Sequence, residues 1–536
     1  MLNKLFNKHS HKTEPTTDEL DGIDPSIYSR RWQILATLCA SLLLVMIGNS
    51  SLNLALPTLA EELSLTSVQL TWIVDIYALV FASLLFTASA MADRYGRKTL
   101  MQAGLLVFLA GTIYAGFFAQ SGMEVIISRG IMGVGAAFVM PTTLSILNNV
   151  FPRKQRARAI AVWSGIAGGG VALGSIASGF LLEHYSWESV FIFSTVVGII
   201  GITFNQWLTP NSHDEHHTPI DWLGGALSTV GLLGLVYGII EAPAHGLMSN
   251  DVLIGLAAGV IGLGSFVWWQ LRAEHPMLDM KLFSRAAFSV SALSVTLVFF
   301  ALMGIFFSMS QVFQLIIGYG AFESSLRMLP LMMLMMVASP FVPNIVKKFG
   351  TRWTVTTGLV LVTIAFVVMS QWPTIPSYPQ IIASMAIMMT GMALTMTPAT
   401  TMMMSAVPRN RAGMGSAMND TTRELGGALG VAILGSILGT AYSNKIAESV
   451  TQLPTDVQTI AENSLAGALV IAENLGPAGA ALVNAAKEAW MGGLSNAMLV
   501  AAGIVAVAAI ISAIWLPHEH KDGEIDSELD EPVIEG

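Results

Sequence analysis

Cysteine and charge are both scarce in this chain. Cys39 is the single cysteine among 536 residues, so no disulfide within the chain is possible and disulfide-stapled secreted domains are excluded. Charged residues make up only 11% of the chain, whereas soluble domains carry about 25%. So few charges cannot cover the surface of a soluble chain of this length. This excludes an ordinary soluble enzyme, a nucleic-acid-binding protein and a disordered chain.

Motifs of enzymes and of nucleotide-driven pumps are lacking as well. The chain contains no Gly-Lys-Ser/Thr phosphate loop, no Gly-x-Ser-x-Gly and no metal-ligand spacing. The His-rich runs at 213–217 and 518–520 lie in polar segments, and we interpret them as solvated. The sequence therefore predicts a protein that is not an enzyme and has no cofactor, no bound metal, no nucleotide and no nucleic-acid partner.

Hydrophobic residues, in contrast, make up 53% of the chain and form long runs. A membrane-spanning helix needs about 20 largely apolar residues. Fourteen such segments are found, near 33–55, 70–92, 99–119, 123–148, 157–182, 188–208, 220–241, 252–271, 287–309, 322–345, 353–372, 378–406, 419–441 and 490–516. Polar residues precede the first run, a pattern unlike a signal peptide. The sequence predicts an all-α integral membrane protein with fourteen transmembrane helices.

The basic residues test this count, because Lys and Arg concentrate in cytoplasmic loops. They cluster on one side of the predicted spans, before the first span and in alternate connections: Arg30 and Arg31, Arg94 to Lys98, Arg153 to Arg158, Arg272 to Arg285, Lys347 to Arg352, and Arg409 with Arg411. A missed helix would invert this pattern midway, and no inversion occurs. We therefore predict a multi-pass protein of the cell (inner or cytoplasmic) membrane with both termini in the cytoplasm. The side that holds these residues is called the inner side.

Two pairs of segments resemble each other across the chain. MADRYGRKTL at 91–100 is echoed by IVKKFGTRWTV at 345–355, and GVGAAFVMPTT at 133–143 by GMALTMTPATT at 391–401. Parallel repeats are a transporter architecture with the substrate site between the halves. The predicted organisation is a cytoplasmic tail 1–32, a six-helix half 33–208, two inserted helices 209–286, a second half 287–516 with an outer loop 442–489, and an acidic cytoplasmic tail 517–536.

Several motifs resemble the major facilitator superfamily, in particular the fourteen-helix drug:proton antiporter branch of the EmrB/QacA type. They are WIVDIYAL (72–79), ADRYGRK (92–98) and RGIMGVGAAFVMP (129–141), although Ser89 stands where the inner-loop signature has Gly. The resemblance implies two six-helix halves plus two inserted helices. It also implies proton-coupled export of small lipophilic, cationic toxic compounds by a protein that works as a monomer among membrane lipids.

Of the ionisable residues within the predicted spans, five are singled out as candidates: Asp75, Arg129, Asp420, Arg423 and Glu424. A charge at bilayer depth is costly, so each is a candidate for proton coupling or substrate binding. Asp75 could take up a proton or attract a cation, or simply bond to a neighbouring helix. Asp420 and Glu424 share a helix face beside Arg423, and they form either a proton site or an internally paired cluster. The resemblance assigns proton coupling to Arg129, whose alternative is a structural anchor in polar contact with the first or second span.

The loop with Asp93, Arg94, Gly96, Arg97 and Lys98 is the predicted inner gate. Glycine permits the tight turn, and the charges can pair with neighbouring helix ends in one conformation. The resemblance implies a latch that stabilises the outward-facing state. A basic loop that only fixes topology is the alternative.

The predicted fifth span is rich in small residues. Gly165, Gly169, Gly170, Gly174 and Gly179 lie in this helix-packing, antiporter-motif region. Small residues four apart let helix backbones approach closely. Ser175 replaces the Pro of the family motif, which weakens the antiporter assignment and leaves packing as the alternative.

One acidic residue of the family is missing. Drug antiporters of this branch have an acid nine positions before the Pro of an Ala-Leu-Pro, and Gly48 stands there, followed by Asn49. Either Asp75 acts alone or the substrate is not a dication. Two alternative functions follow. One is export of an endogenous metabolite such as a siderophore, peptide or antibiotic, and the other is transport of a lipid or cell-envelope component.

Two further features bear on the site. The aromatic residues Trp72, Tyr77, Phe138 and Trp163 could stack on a flat cation, although interfacial anchoring explains Trp72 equally well. The segment 442–489 has helical periodicity broken at Gly476-Pro477. It is predicted to form a helical hairpin that either caps the outer vestibule or lies on the surface.

Overall fold

A computed structural model of the protein describes residues 21–518, with gaps at 22, 51, 64, 66, 213–218, 247, 409–410 and 452–453. The described part is helical and contains no β-strand. Its α-helices are α1 (Pro25–Ser50), α2 (Leu52–Glu62), α3 (Ser67–Tyr95), α4 (Arg97–Phe117), α5 (Gly122–Val150), α6 (Arg153–His184), α7 (Glu188–Leu208), α8 (Trp222–His245), α9 (Asn250–Gln270), α10 (Ala286–Gln311), α11 (Ala321–Ala338), α12 (Val342–Met369), α13 (Tyr378–Ser405), α14 (Ala412–Val450), α15 (Thr455–Asn463), α16 (Leu465–Asn474) and α17 (Ala480–Trp515).

Among the described residues, 12 helical segments are long and apolar enough to cross a membrane. The chain is thus a multi-pass membrane protein. The segment Phe322–Met369 counts once although it contains both α11 and α12, and α6, which begins with several basic residues, is not among the 12. The number fourteen stays a prediction.

Two glycines with positive φ form equivalent turns. Gly96 separates α3 from α4 with φ 105°, and Gly350 interrupts α12 with φ 77° and ψ 162°. Only glycine adopts such angles without strain. Each turn lies in one of the two similar motifs at 91–100 and 345–355, so the sequence echo corresponds to the same backbone break.

Both turns bind the end of a later helix. After Gly96, the Arg97 N–H donates to the Ser212 carbonyl at 2.9 Å and Lys98 Nζ donates to the Gln206 carbonyl at 2.7 Å. After Gly350, the Thr351 N–H donates to the His518 carbonyl at 3.2 Å, and Arg352 Nε donates to the Leu516 carbonyl. The first turn therefore binds the end of α7 and the second the end of α17, which supports the predicted repeat.

Paired glycines repeat in the same way. A Cβ on Gly135 would lie 2.6 Å from the Gly104 carbonyl oxygen, and a Cβ on Gly391 would lie 2.5 Å from the Gly358 carbonyl oxygen. The backbones of α4 and α5 therefore touch at the same place as those of α12 and α13, as small residues allow in membrane helices. The boundaries of the two halves remain a prediction.

The Gly96 turn yields a stability prediction. Gly96→Ala is expected to lower the free energy of unfolding in detergent by about 1–3 kcal/mol, because an L-residue is strained at this φ. The new Cβ would also lie 2.6 Å from Asn211 Oδ1. Gly503→Ala on α17 is the control, since a methyl group added there would meet no described atom of a neighbouring segment within 4 Å. Equal thermal midpoints for the two variants would contradict the prediction.

The predicted inserted helices form a pair, α8 and α9, that packs on α3 and α14. Asp221 joins their inner ends: Oδ1 accepts from the Gly224 N–H and from Trp269 Nε1, both at 2.8 Å, and Oδ2 accepts from Gln270 Nε2 at 2.7 Å. Gln270 Oε1 in turn accepts from the Leu278 N–H at 3.1 Å. This network fixes the linker that leads into α10.

The predicted outer loop 442–489 is largely helical. Helix α14 continues to Val450 and α17 begins at Ala480, so both are longer than the apolar runs from which their spans were predicted. The short helices α15 and α16 lie between them. Tyr442 Oη donates to the Ala461 carbonyl at 2.8 Å, and Lys445 pairs with Glu488 at 2.9 Å. These polar contacts stabilise the parts of α14 and α17 that extend beyond the apolar runs.

Candidate transport site between the predicted halves

Arg129 lies on α5 with a side chain only 1% exposed. Its Nε donates to the Ile73 carbonyl at 3.1 Å and its Nη1 to the Gly48 carbonyl at 2.7 Å. The guanidinium carbon lies 4.4 Å from the centroid of the Tyr77 ring. Because arginine keeps its charge, these carbonyls and the ring replace water around it. Arg129 thus contacts both α1 and α3, and its role in proton coupling stays a prediction.

The position of the missing family acid is closed. A Cβ on Gly48 would lie 2.5 Å from Phe108 Cζ and 3.2 Å from Met132 Cε. The position therefore has no room for an acidic side chain unless Phe108 moves. The Gly48 carbonyl accepts the hydrogen bond from Arg129. The side chain of Asn49 lies outside the described part of the structure.

Asp420, Arg423 and Glu424 lie on α14 without an ion pair between them in the described structure. Asp420 is 1% exposed and Arg423 is 3% exposed, whereas Glu424 is half-buried. Asp420 Oδ1 accepts from Asn419 Nδ2 at 3.3 Å, but no described group hydrogen-bonds to Asp420 Oδ2. Nor does any described group accept from Arg423 Nε or Nη2. The charges of Asp420 and Glu424 nevertheless act on Arg423, so both the proton site and the internally paired cluster stay predictions.

The Arg423 guanidinium lies instead against two aromatic rings. Its Cζ is 4.6 Å from the Trp163 centroid and 5.1 Å from the Phe299 centroid. Trp163 lies on α6 and Phe299 on α10, so the rings come from different predicted halves. Trp163 Nε1 donates to Thr143 Oγ1 at 3.1 Å, which fixes the indole.

The predicted site residues do not form one cluster. Helices α3, α5 and α14 pack on one another, which brings Tyr77 near the charges of both Arg129 and Glu424. Asp75 is half-buried and interacts with Glu241 on α8. Since positions 75 and 77 face different sides of α3, Asp75 belongs to the contact with the inserted pair. Glu241 was not predicted, although it is an acid at the very end of the predicted seventh span.

A group of uncharged polar side chains was also missed. Buried atoms without a hydrogen-bond partner in the described structure concentrate on α5, α6, α13 and α14, the helices that line the boundary between the predicted halves. They belong to Ser145, Asn148, Ser164, Thr397, Ser416 and Thr421. Buried polar groups are normally paired, so this concentration marks a polar interior surface. Single Ser, Thr and Asn residues give no comparable signal in an apolar sequence.

The predicted gate loop meets the first turn of α14. Arg97 is buried and pairs with Asp93 at 2.7 Å, while the Arg94 guanidinium lies 5.8 Å from the Tyr95 centroid. A Cβ on Gly413 would lie 2.5 Å from Asp93 Oδ2 and 2.6 Å from Ser89 Oγ. The inner ends of α3 and α14 are therefore in direct contact.

The glycines of α6 serve close packing in this structure. Gly165 and Gly169 face Met336 of α11, Gly170 faces Met46 of α1, and Gly179 faces Phe322. Gly174 is buried on the same helix. Helix α6 thus packs on α1 and, across the boundary between the predicted halves, on α11.

No group of three or more His, Cys, Asp or Glu side chains in the described residues could hold a metal ion. The His run at 213–217 lies outside those residues, and of the run at 518–520 only His518 lies within them.

The helical arrangement and the motifs agree with the chain's similarity to known proteins. Residues 38–431 match the family model described as Major Facilitator Superfamily. The chain belongs to the major facilitator superfamily. Members of this superfamily are transporters that move small molecules across membranes, and the fold is therefore the all-helical major facilitator fold.

Three relatives within the superfamily are named for efflux, resistance or export. The multidrug efflux pump LfrA of Mycolicibacterium smegmatis is 32% identical over 488 residues, covering 91% of this chain and 96% of LfrA. The methyl viologen resistance protein SmvA of Salmonella typhimurium is 28% identical, covering 90% and 97%. The tetracenomycin C resistance and export protein of Streptomyces glaucescens is 25% identical, covering 93% and 94%. Drug efflux is thus represented among the chain's relatives.

Solved structures of the superfamily share the fold. The human organic anion transporter MFSD10 aligns with a TM-score of 0.61 at 12% identity, covering 90% of this chain and 99% of that one. The proton:xylose symporter XylE aligns with a TM-score of 0.60 at 11% identity, covering 93% and 99%.

Proposed function

We propose that the protein is a proton-coupled multidrug efflux transporter of the fourteen-helix EmrB/QacA-type branch. It exports small lipophilic, cationic compounds by alternating access. The observation that carries this proposal is the buried charge between the predicted halves, where Arg423 lies against aromatic rings from both halves and Asp420 is buried on the same helix. A carboxylate oxygen without a hydrogen-bond partner in the described structure and the faces of aromatic rings are groups that an organic cation would use. The names of the relatives LfrA and SmvA support it.

Proton binding at Asp75, Asp420 or Glu424 would bias the transporter between its two arrangements. Arg129 joins α1, α3 and α5 through two carbonyls, so movement of the first predicted half carries these helices together. The contact of Asp93 with the first turn of α14 closes the inner side in one arrangement. In this account the halves rock about a site near the bilayer centre.

The proposal includes the topology. The protein lies in the cell membrane as a monomer, with fourteen spans and both termini in the cytoplasm. Lipids surround α8 and α9, whose outward-facing residues Leu223, Val230, Ile254, Val260 and Ile261 are apolar and exposed. Cytoplasmic termini place the Gly96 and Gly350 turns together at the inner side.

Everted vesicles that contain a pH-sensitive dye test proton coupling. Addition of an ethidium-like cation is expected to release protons from the acidified lumen, and Asp75→Asn is expected to abolish this response. Asp420→Asn and Glu424→Gln, read in the same assay, show which α14 acid takes part. Glu473→Gln, an exposed acid on α16, is the control and should respond like the wild type. The absence of a response to any lipophilic cation would refute the proposal.

Export of an endogenous metabolite is the second candidate, favoured by one observation. Gly48, where a Cβ would collide with Phe108, stands at the position where drug antiporters of this branch commonly have an acid, so the first span lacks that negative charge. The tetracenomycin C export protein among the relatives carries such a function in its name. Susceptibility of a pump-deficient host to a panel of lipophilic cations separates the candidates, because a metabolite exporter would protect against none of them.

A further inference from the structure

We propose that Trp163 and Phe299 form an aromatic slot for the planar cationic group of a substrate, and that Arg423 occupies this slot as a tethered, displaceable cation. The inference rests on the proposed export of organic cations and adds the recognition site within it. The slot is defined by the two rings of Trp163 and Phe299.

The geometry is that of a cation site. Both ring centroids lie within the distance of about 6 Å at which a cation is attracted to an aromatic face, at 4.6 and 5.1 Å from Arg423 Cζ. Trp163 is fully buried and held by its hydrogen bond to Thr143, so the slot persists when its occupant changes. A guanidinium is planar and weakly hydrated, and it therefore occupies the same kind of space as a flat organic cation.

Arg423 is held there by few polar contacts. A buried arginine normally forms several hydrogen bonds, often to a carboxylate. Here Nε and Nη2 have no acceptor in the described structure, and Asp420, one turn earlier on the same helix, has an oxygen without a donor. If the Arg423 guanidinium moved from the rings to Asp420, its nitrogens would gain an acceptor and the Asp420 oxygen would gain a donor. A substrate cation that takes the ring faces would thus be compensated by a new Arg423–Asp420 pair.

The slot is also divided between the predicted halves. Trp163 lies on α6 of the first half, whereas Phe299 and Arg423 lie on α10 and α14 of the second. Separation of the halves would therefore take one ring away from the cation. Affinity for a flat cation then differs between the two arrangements, which is the difference that alternating access requires.

Equilibrium binding of ethidium to the purified full-length protein, followed by fluorescence, tests the proposal. Arg423→Gln is expected to bind ethidium about tenfold more tightly, because the tethered competitor is gone. Trp163→Leu should bind it about tenfold more weakly, and Trp163→Phe should restore much of the loss. The gain from Arg423→Gln should vanish in the Trp163→Leu background. Trp187→Leu, which removes another buried indole of the first half, should leave binding unchanged.

The double substitution separates this proposal from simple charge repulsion. If Arg423 only repelled cations, its removal would tighten ethidium binding equally with Trp163 or Leu at position 163, and the slot would be refuted. The neutral probe N-phenylnaphthylamine should show no gain with Arg423→Gln, and an equal gain would also refute it. If Trp163→Leu does not fold, Phe299→Leu removes the other, half-buried ring and is read in the same cycle.

Failure of the slot and failure of the proposed function have different signatures. A wild-type protein that moves no lipophilic cation in vesicles refutes the function. A wild-type protein that exports ethidium, but whose affinity does not respond to changes at positions 163 and 423, refutes the slot alone.

Discussion

Replacement of Arg129 by leucine is expected to abolish efflux and to destabilise the protein strongly. Arg129 donates to the Ile73 and Gly48 carbonyls from a position 1% exposed, and no other described group replaces it there. Hydrogen bonds from a charged donor contribute about 1.5–3 kcal/mol each, and leucine would form neither of the two. A single substitution usually lowers the free energy of unfolding by about 1 kcal/mol. Arg129→Leu should lower it by several times that amount.

Arg129→Lys separates charge from geometry. Lysine keeps the charge, but its compact ammonium lacks the planar fork that reaches two carbonyls on different helices. We expect Arg129→Lys to have a stability between those of Arg129→Leu and the wild type, and an efflux rate below a tenth of the wild-type rate. Arg272→Leu is the control, because Arg272 also lies over an aromatic ring, Trp268 at 4.3 Å, but is exposed. Ethidium efflux and thermal midpoints are the measurements, and wild-type efflux by Arg129→Leu would contradict the prediction.

The fold was largely predictable, because helices that cross a membrane must be long apolar runs and are therefore visible in the sequence. Most of the predicted spans coincide with helices, and the sequence echo at Gly96 and Gly350 reappears as two positive-φ turns. The helix ends were less predictable. Beyond residue 441, α14 continues through polar residues such as Lys445. Tertiary contacts such as the pair of Lys445 with Glu488, and not hydropathy, stabilise this part of the helix.

The site was predictable only where it carries charge. Arg129 and Arg423 are conspicuous in an apolar chain, and both are buried as predicted from their cost in lipid. Which group each of them contacts depends on helix packing. The sequence could not show that the charge of Glu241 on an inserted helix acts on Asp75, or that the Arg423 guanidinium lies over the Trp163 ring.

Gly413→Val is expected to hold the inner side open and to stop efflux while the protein stays folded. A Cβ at this position would lie 2.5 Å from Asp93 Oδ2 and 2.6 Å from Ser89 Oγ. Asp93 cannot move away cheaply, since it is paired with the buried Arg97 at 2.7 Å. The first turn of α14 must therefore separate from α3. A penalty of about 3 kcal/mol would shift the ratio of closed to open molecules about a hundredfold.

Thiol labelling measures this opening directly, because the chain contains a single cysteine. In a Cys39→Ala background, Ser416→Cys places a buried thiol one turn beyond Gly413 on α14. A membrane-impermeant maleimide added from the inner side should label it faster when Gly413→Val is present. Gly439→Val is the control and should change neither labelling nor efflux, because a Cβ at this position of the same helix would meet no described atom of a neighbouring segment within 4 Å. If Gly413→Val leaves labelling slow and efflux intact, the contact between Asp93 and α14 is not the inner gate. Faster labelling together with lost efflux would instead identify it as the contact that must close for each transport cycle.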